Sequence, residues 1–252
     1  MLTKSIPAAM LVALTAFPTF AQEFTGASFG AKFATVTDDD TDVSGNSFDA
    51  SGAFSIAPQF AFGGALSLYQ RDDLDDDTLN ATLRAMYRVN TNTTIGAFVS
   101  QDSYGDDSNT AFGIESGSST ARSRIQGYVG FVDDYATAVF EDVTIWGASG
   151  EFHVSNGFFF TIGFDALTGS SLTDDDYSDT YSTASIGGMY SFGNGVEAYA
   201  DLASSGRSGS DDDYFYDYGS VDSVAVGIRV NHGNGGGTVL PTRGISDAFF
   251  SY

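Results

Sequence analysis

The chain has 252 residues, no Cys, 30 Gly, 13 Tyr and 22 Phe, and 33 Asp+Glu against 10 Lys+Arg give a net charge of −23. The lack of Cys excludes a disulfide scaffold, a thiolate metal site and a thiol nucleophile. The acid excess argues against nucleic acid as a partner, since phosphates must be neutralised by Lys and Arg, and 42% hydrophobic residues in regular alternation argue against a disordered acidic chain.

Lys4 makes the N-terminus positive, and Ile6 to Phe20 is largely apolar. Thr19-Phe20-Ala21 then puts small residues at the minus-three and minus-one positions before Gln22. That pattern predicts a cleaved secretory signal peptide over residues 1–21, too short to be a membrane helix. No later apolar run reaches membrane-helix length. A membrane-embedded chain of this kind must therefore be a closed barrel, because only helices and barrels satisfy every backbone polar group in lipid.

From about residue 26 to 232 the sequence alternates apolar with small or polar residues in segments of about ten. Successive strand side chains point to opposite faces. Over 78–89, Leu79, Ala81, Leu83, Ala85, Tyr87 and Val89 fall on one face, and Thr78, Asn80, Thr82, Arg84 and Arg88 on the other. One greasy and one wet face per strand suits lipid outside and water inside. The alternation predicts strands near 26–36, 47–57, 59–70, 78–89, 93–102, 108–117, 122–132, 136–154, 158–169, 179–191, 196–206 and 219–232. Twelve is even, which returns both chain ends to the same side, and leaves roughly 19 residues per strand and connection. The range is ten to fourteen: 108–117 is poorly patterned, and a hidden reversal within 133–155 would add strands.

The connections alternate in character. Acidic clusters at Asp38–Asp42, Asp72–Asp77, Asp102–Asp107, Asp133-Asp134, Asp174–Asp179 and Asp211–Asp217 are separated by short turn signals such as Ala57-Pro58, Asn90-Thr91-Asn92, Ser155-Asn156-Gly157 and Gly193-Asn194-Gly195. Asn-Gly and Pro pairs favour tight reversals. Long loops at one end and short turns at the other is the asymmetry of an outer-membrane barrel. Asp38, Asp40 and Asp42 are spaced like the start of a calcium loop, but Val43 stands where that loop needs Gly, so no metal site is assigned. Beyond residue 232, Gly233 to Gly237 forms a Gly-rich linker. Residues 238–252, closing on Phe250 and Tyr252, are open to three readings: a further strand, a lumen plug or a tail.

The two faces carry the functional argument. Phe29, Phe33, Phe54, Ile56, Phe60, Leu66, Leu83, Ile125, Val129, Ile162, Ile186, Leu202, Val226 and Ile228 share the outward face. The lumen candidates are Lys32, Arg84, Arg88, Arg122, Arg124, Glu151, Glu197, Asp201 and Arg229. A charge facing lipid at mid-depth costs about 2–4 kcal/mol, so this sorting is what a barrel needs. It has two readings: charges that pair across a filled lumen, or a hydrated pore with Arg84, Arg88, Arg122 and Arg124 as a basic wall facing carboxylates, which would orient polar solutes.

On that pattern of strands, faces and acidic loops, residues 22–232 resemble bacterial outer-membrane porins. The closing aromatic is also similar to the C-terminal signal of those barrels. The resemblance implies an all-β transmembrane up-and-down barrel in the cell outer membrane, passing ions and small hydrophilic solutes without a cofactor. It further implies outer-membrane lipids, lipopolysaccharide and the barrel-assembly machinery as partners, with oligomeric state open. The rival is a structural or adhesive barrel whose acidic loops contact cations or lipopolysaccharide. An enzyme reading starts from Phe152-His153-Val154-Ser155-Asn156-Gly157, which is similar to the His-x-Ser segment of outer-membrane phospholipase A and the lipid A deacylase. Residues two apart share a strand face, so His153 would act as base to Ser155. Those families need an Asn or acid about a dozen residues on; Leu167 stands there, and Asp165 is the nearest substitute.

Overall fold

The computed structural model describes residues 23–37, 43–72, 77–105, 107–133, 140–171, 178–210 and 215–233. The expected signal peptide, most of the C-terminal segment and the centres of several acidic clusters lie outside them. The described chain forms twelve strands: β1 (Glu23–Val36), β2 (Ser44–Ala57), β3 (Phe60–Arg71), β4 (Thr78–Arg88), β5 (Thr93–Tyr104), β6 (Asp107–Ser119), β7 (Ser123–Asp133), β8 (Phe140–Ser155), β9 (Phe158–Ser171), β10 (Ser178–Ser191), β11 (Val196–Ser210) and β12 (Phe215–His232). Each pairs antiparallel with its sequence neighbours, and β1 closes on β12 from Ala27↔His232 to Val36↔Ser223. Closure leaves no unpaired edge among them.

All twelve expected strands are present. From Phe140 on, β8 runs as one strand through the stretch where a hidden reversal would have added strands, and the poorly patterned 108–117 segment is β6. The acidic stretch 102–107 is shorter as a connection than its cluster of acids suggests. β5 and β6 run almost to its centre, and the reversal is made at Gly105, with φ of 56°. Asp102, the expected last residue of its strand, lies within β5 and is 1% exposed.

The five short connections lie at the same end of the barrel as the start of β1 and the end of β12. Asn90 Oδ1 accepts from the backbone N–H groups of Asn92 (2.8 Å) and Thr93 (2.9 Å), closing the β4–β5 turn. Gly157 supplies the left-handed residue of the β8–β9 turn, with φ of 80°.

The hydrophobic surface is on the outside. Leu83 is 66% exposed, Ile114 64%, Leu202 57% and Ile228 55%, a pattern opposite to that of a water-soluble domain. Outward aromatics cluster near the short-turn end, where Phe24 meets Phe54 (ring centroids 5.6 Å apart), Phe60 meets Tyr87 (5.1 Å) and Tyr190 meets Phe192 (5.1 Å). An apolar belt bordered by aromatics is the exterior of a membrane barrel.

Candidate functional site

Cross-strand register fixes which side chains share the lumen. Arg84 is paired with Phe98, Phe98 with Gly113, Gly113 with Gly130, Gly130 with Ile145, Ile145 with Leu167, and Leu167 with Tyr181. All of these, and every second residue from them, face inward. By the same parity Lys32, Arg84, Arg88, Arg124, Arg207 and Arg229 share the interior with Asp49, Asp102, Glu115, Glu151, Asp165, Asp179, Glu197 and Asp201. Interior charge is nearly balanced, so the surplus of −23 resides chiefly in the connections.

One part of the interior is dry. Arg84 Nε lies 3.2 Å from Glu115 Oε1, and the two side chains are 2% and 0% exposed. They belong to β4 and β6, and meet because β5 places Gly96 between them. A Cβ there would lie 3.2 Å from Glu115 Oε1 and 3.1 Å from the Ala85 carbonyl oxygen. Nearby, Asn80 Nδ2 donates to Ser100 Oγ (2.8 Å) and Asp102 Oδ1 (3.0 Å), while Thr82 Oγ1 donates to Asn80 Oδ1 (3.0 Å). Asn80 and Ser100 are fully buried, so these bonds replace the water each group would otherwise hold. Phe98, Ala111, Tyr128, Val143, Ile145 and Leu167 continue the packing as an apolar cluster against Val132 and Tyr181.

The other part is wet and charged. Glu151 on β8 accepts from Arg124 Nη1 at 2.9 Å and from Arg229 Nη2 at 3.2 Å. Arg229 Nε donates to Glu197 at 2.8 Å, which also accepts from Asn231 Nδ2 at 2.9 Å. Since β8 and β12 are separated by three strands, the Glu151–Arg229 bond spans part of the lumen. Side-chain exposures of 41% for Arg124, 29% for Arg229, 22% for Glu151 and 13% for Glu197 show that solvent reaches this ladder. Its members lie toward the short-turn end. Asp201 sits further along β11 and accepts from Thr161 Oγ1 at 2.8 Å across β10. There Gly187 clears the path, since a Cβ on it would collide with the Asp201 carboxylate. Tyr128 and Asp165 bridge β8 in the same manner over Gly147, the hydroxyl donating at 2.8 Å.

The expected basic wall is not assembled. Arg84 is buried against Glu115 in the dry part, and Arg124 is in the ladder. Arg88 is exposed at the end of β4, where Nη1 donates to the Pro58 carbonyl at 3.4 Å. Arg122 lies in the β6–β7 turn and not on a strand, because β7 begins at Ser123. Lys32, Glu151, Glu197, Asp201 and Arg229 do face the lumen. Sequence reasoning missed Glu115, Asp102, Asp179 and Arg207. The latter two form a further ion pair, and the Arg207 guanidinium lies 5.1 Å from the Tyr181 ring centre.

The His153–Ser155 arrangement is also altered. A register shift puts His153 opposite Phe159 and Ser155 opposite Phe158. Those neighbours on β9 point to opposite faces, so the bulge undoes the shared face on which a base–nucleophile pair depends. The His153 ring packs edge-on against Phe159, with centroids 5.1 Å apart. Asp165 pairs with Gly147, six residues along β8 from His153, or roughly 20 Å at the strand rise. Leu167 is 1% exposed in the apolar cluster.

No protein-family model matches the chain, and no curated protein sequence does. Among solved structures it is similar to the NanC porin, with a TM-score of 0.53 and 8% identity over 80% of this chain and 98% of that one. It is also similar to the KdgM porin, with a TM-score of 0.50 and 10% identity over 81% of this chain and 98% of that one. At these identities the likeness concerns the fold, and the fold is the closed antiparallel barrel of outer-membrane porins.

Proposed function

We propose that the chain is an outer-membrane channel for passive diffusion of ions and small hydrophilic solutes, without catalytic activity. The observation that carries this reading is the solvent-reached ladder Arg124–Glu151–Arg229–Glu197 inside a barrel with an apolar exterior. Fixed charges of both signs on one stretch of lumen create a transverse field. Polar solutes align with that field and exchange hydration for side-chain contacts, while apolar solutes gain nothing. The predicted signal peptide directs the chain across the inner membrane, and the short-turn end then faces the periplasm. Exposed Asp72, Asp77, Asp107 and Asp133 near the long-loop end raise the local cation concentration at the outer mouth. The test is swelling of protein-loaded vesicles in isotonic solutions of small neutral solutes. Swelling that slows as solute size increases supports the channel, and vesicles that stay inert with inserted protein refute it.

The buried Phe98–Ile145–Leu167 cluster favours a second reading, a barrel filled across its whole section that serves a structural or adhesive role. The same assay separates the two.

A further inference from the structure

Several lumen glycines are covered by a side chain of the strand next to them. A Cβ on Gly147 would collide with the Asp165 carboxylate, and one on Gly187 with that of Asp201, in each case the directly paired residue. Each carboxylate therefore lies along the wall, over the neighbouring strand. There it accepts a hydrogen bond from the strand beyond, Asp165 from Tyr128 and Asp201 from Thr161. Glycine in a strand interior commonly marks such a close approach.

Gly30 repeats the arrangement at the seam where the barrel closes. It stands at the middle of β1, opposite Asp49 of β2 on one side and Arg229 of β12 on the other. A Cβ there would collide with the Asp49 carboxylate. The next group beyond that side chain is the Ile228 carbonyl oxygen, at an ordinary 3.7 Å. This sets Gly30 apart from the other two. At Gly147 the Phe164 carbonyl oxygen also stands 2.7 Å away, and at Gly187 the Ala200 carbonyl oxygen would collide too. Only at Gly30, among these three, is a movable carboxylate the sole obstacle to a side chain. Asp49 and Lys32 are half-buried and Arg229 is in the solvent-reached ladder, so water reaches this row.

We propose that Gly30 is a positioning residue of the pore. It lets the Asp49 carboxylate lie flat across the closing seam, and so sets both the bore and the charge that a passing ion meets there. Register turns Asp49 into the lumen. A carboxylate pushed off Gly30 therefore stays inside the barrel and moves from the wall toward the ion path, where fixed charge governs selectivity. The inference rests on the channel reading given above.

The experiment is single-channel recording of the full mature chain as wild type, Gly30→Ala, Asp49→Ala and Gly30→Ala/Asp49→Ala. At about 1 M salt the screening length is about 3 Å and conductance reports the bore, whereas at about 0.1 M it is about 10 Å and the reversal potential reports the charge. Gly30→Ala is expected to lower the conductance and to move the reversal potential toward cations. Adding Asp49→Ala restores the conductance and brings the reversal potential to that of Asp49→Ala alone. A Gly30→Ala channel indistinguishable from the wild type overturns the proposal. So does a loss that persists in the double variant, since it would come from a distorted strand and not from the carboxylate. If Gly30→Ala does not fold, the double variant decides, because without Asp49 the new methyl group meets nothing nearer than 3.7 Å. A double variant that folds and conducts like Asp49→Ala supports the proposal, and one that also fails to fold overturns it. Gly163→Ala gives a charge-free comparison, as its Cβ would meet only the Ser185 side chain, with the hydroxyl oxygen at 2.6 Å. It is expected to leave the reversal potential unchanged; a shift equal to that of Gly30→Ala overturns the proposal. Quenching of Trp146 by brominated lipids reports insertion independently, because Trp146 is on the outer wall and 44% exposed. An inserted wild type that stays silent sinks the channel reading and this one together, whereas a conducting wild type that Gly30→Ala leaves unchanged sinks this one alone.

Discussion

Replacing Arg84 by Met separates the dry part of the lumen from the wet part. The Arg84–Glu115 pair is 3.2 Å apart, with side chains 2% and 0% exposed. Met retains most of the arginine stem and removes the charge, leaving the Glu115 carboxylate buried against Gly96. Breaking one member of a buried ion pair costs about 3–5 kcal/mol, because the remaining charge loses its partner without regaining water. The double variant Arg84→Met/Glu115→Leu removes both charges and is expected to lie within about 1 kcal/mol of the wild type, or above it. The assay is guanidinium unfolding of the vesicle-inserted barrel followed by the fluorescence of Trp146, the single Trp. At a slope of about 3 kcal/mol/M, the single variant lowers the midpoint by roughly 1–1.7 M and the double variant restores it. A single variant as stable as the wild type would mean that water already reaches Glu115 and that this part of the lumen is not dry.

The ladder behaves differently because it is partly hydrated. Glu151→Gln leaves Arg124 and Arg229 facing each other and is expected to shift the reversal potential in a salt gradient toward anions, whereas Arg229→Gln shifts it toward cations; equal and same-signed shifts would contradict the assignment. Gly96→Val places carbon where a Cβ already lies 3.1 Å from the Ala85 carbonyl and 3.2 Å from Glu115. Overpacking of this kind costs about 1–3 kcal/mol, read as a lower unfolding midpoint. Leu83→Arg puts a charge on a wall position 66% exposed, with an expected loss of about 2–4 kcal/mol in the same assay if it lies near mid-depth. A neutral outcome would mean that lipid does not cover Leu83.

The fold was legible because a barrel writes its period into every strand. Leu79, Ala81, Leu83 and Ala85 against Asn80, Thr82 and Arg84 declare two solvents, and that alternation recurs often enough to count strands. Membership of the lumen face was legible for the same reason, from Lys32 to Arg229. The pairing of charges was not. Arg84 finds Glu115 two strands away only because of barrel closure, strand stagger and a glycine on the strand between. Glu115 itself lies in β6, whose Gly and Ser residues blur the alternation. A count by parity along β6 from Ile114 would have placed Glu115 inside, though not against Arg84. The interior apolar cluster was hidden by a different cause. Ile145 and Leu167 carry the chemistry of an outward face, and only the register with Phe98 and Tyr181 turns them inward. The His153–Ser155 pair failed through one bulge, since an extra residue reverses the faces beyond it.

Single-channel recording of the refolded mature chain in a planar bilayer under a salt gradient decides whether the lumen conducts. A hydrated pore gives steady, reproducible openings whose selectivity changes in Arg229→Gln and stays near the wild-type value in Arg84→Met/Glu115→Leu. A barrel that inserts, folds and remains silent would contradict it.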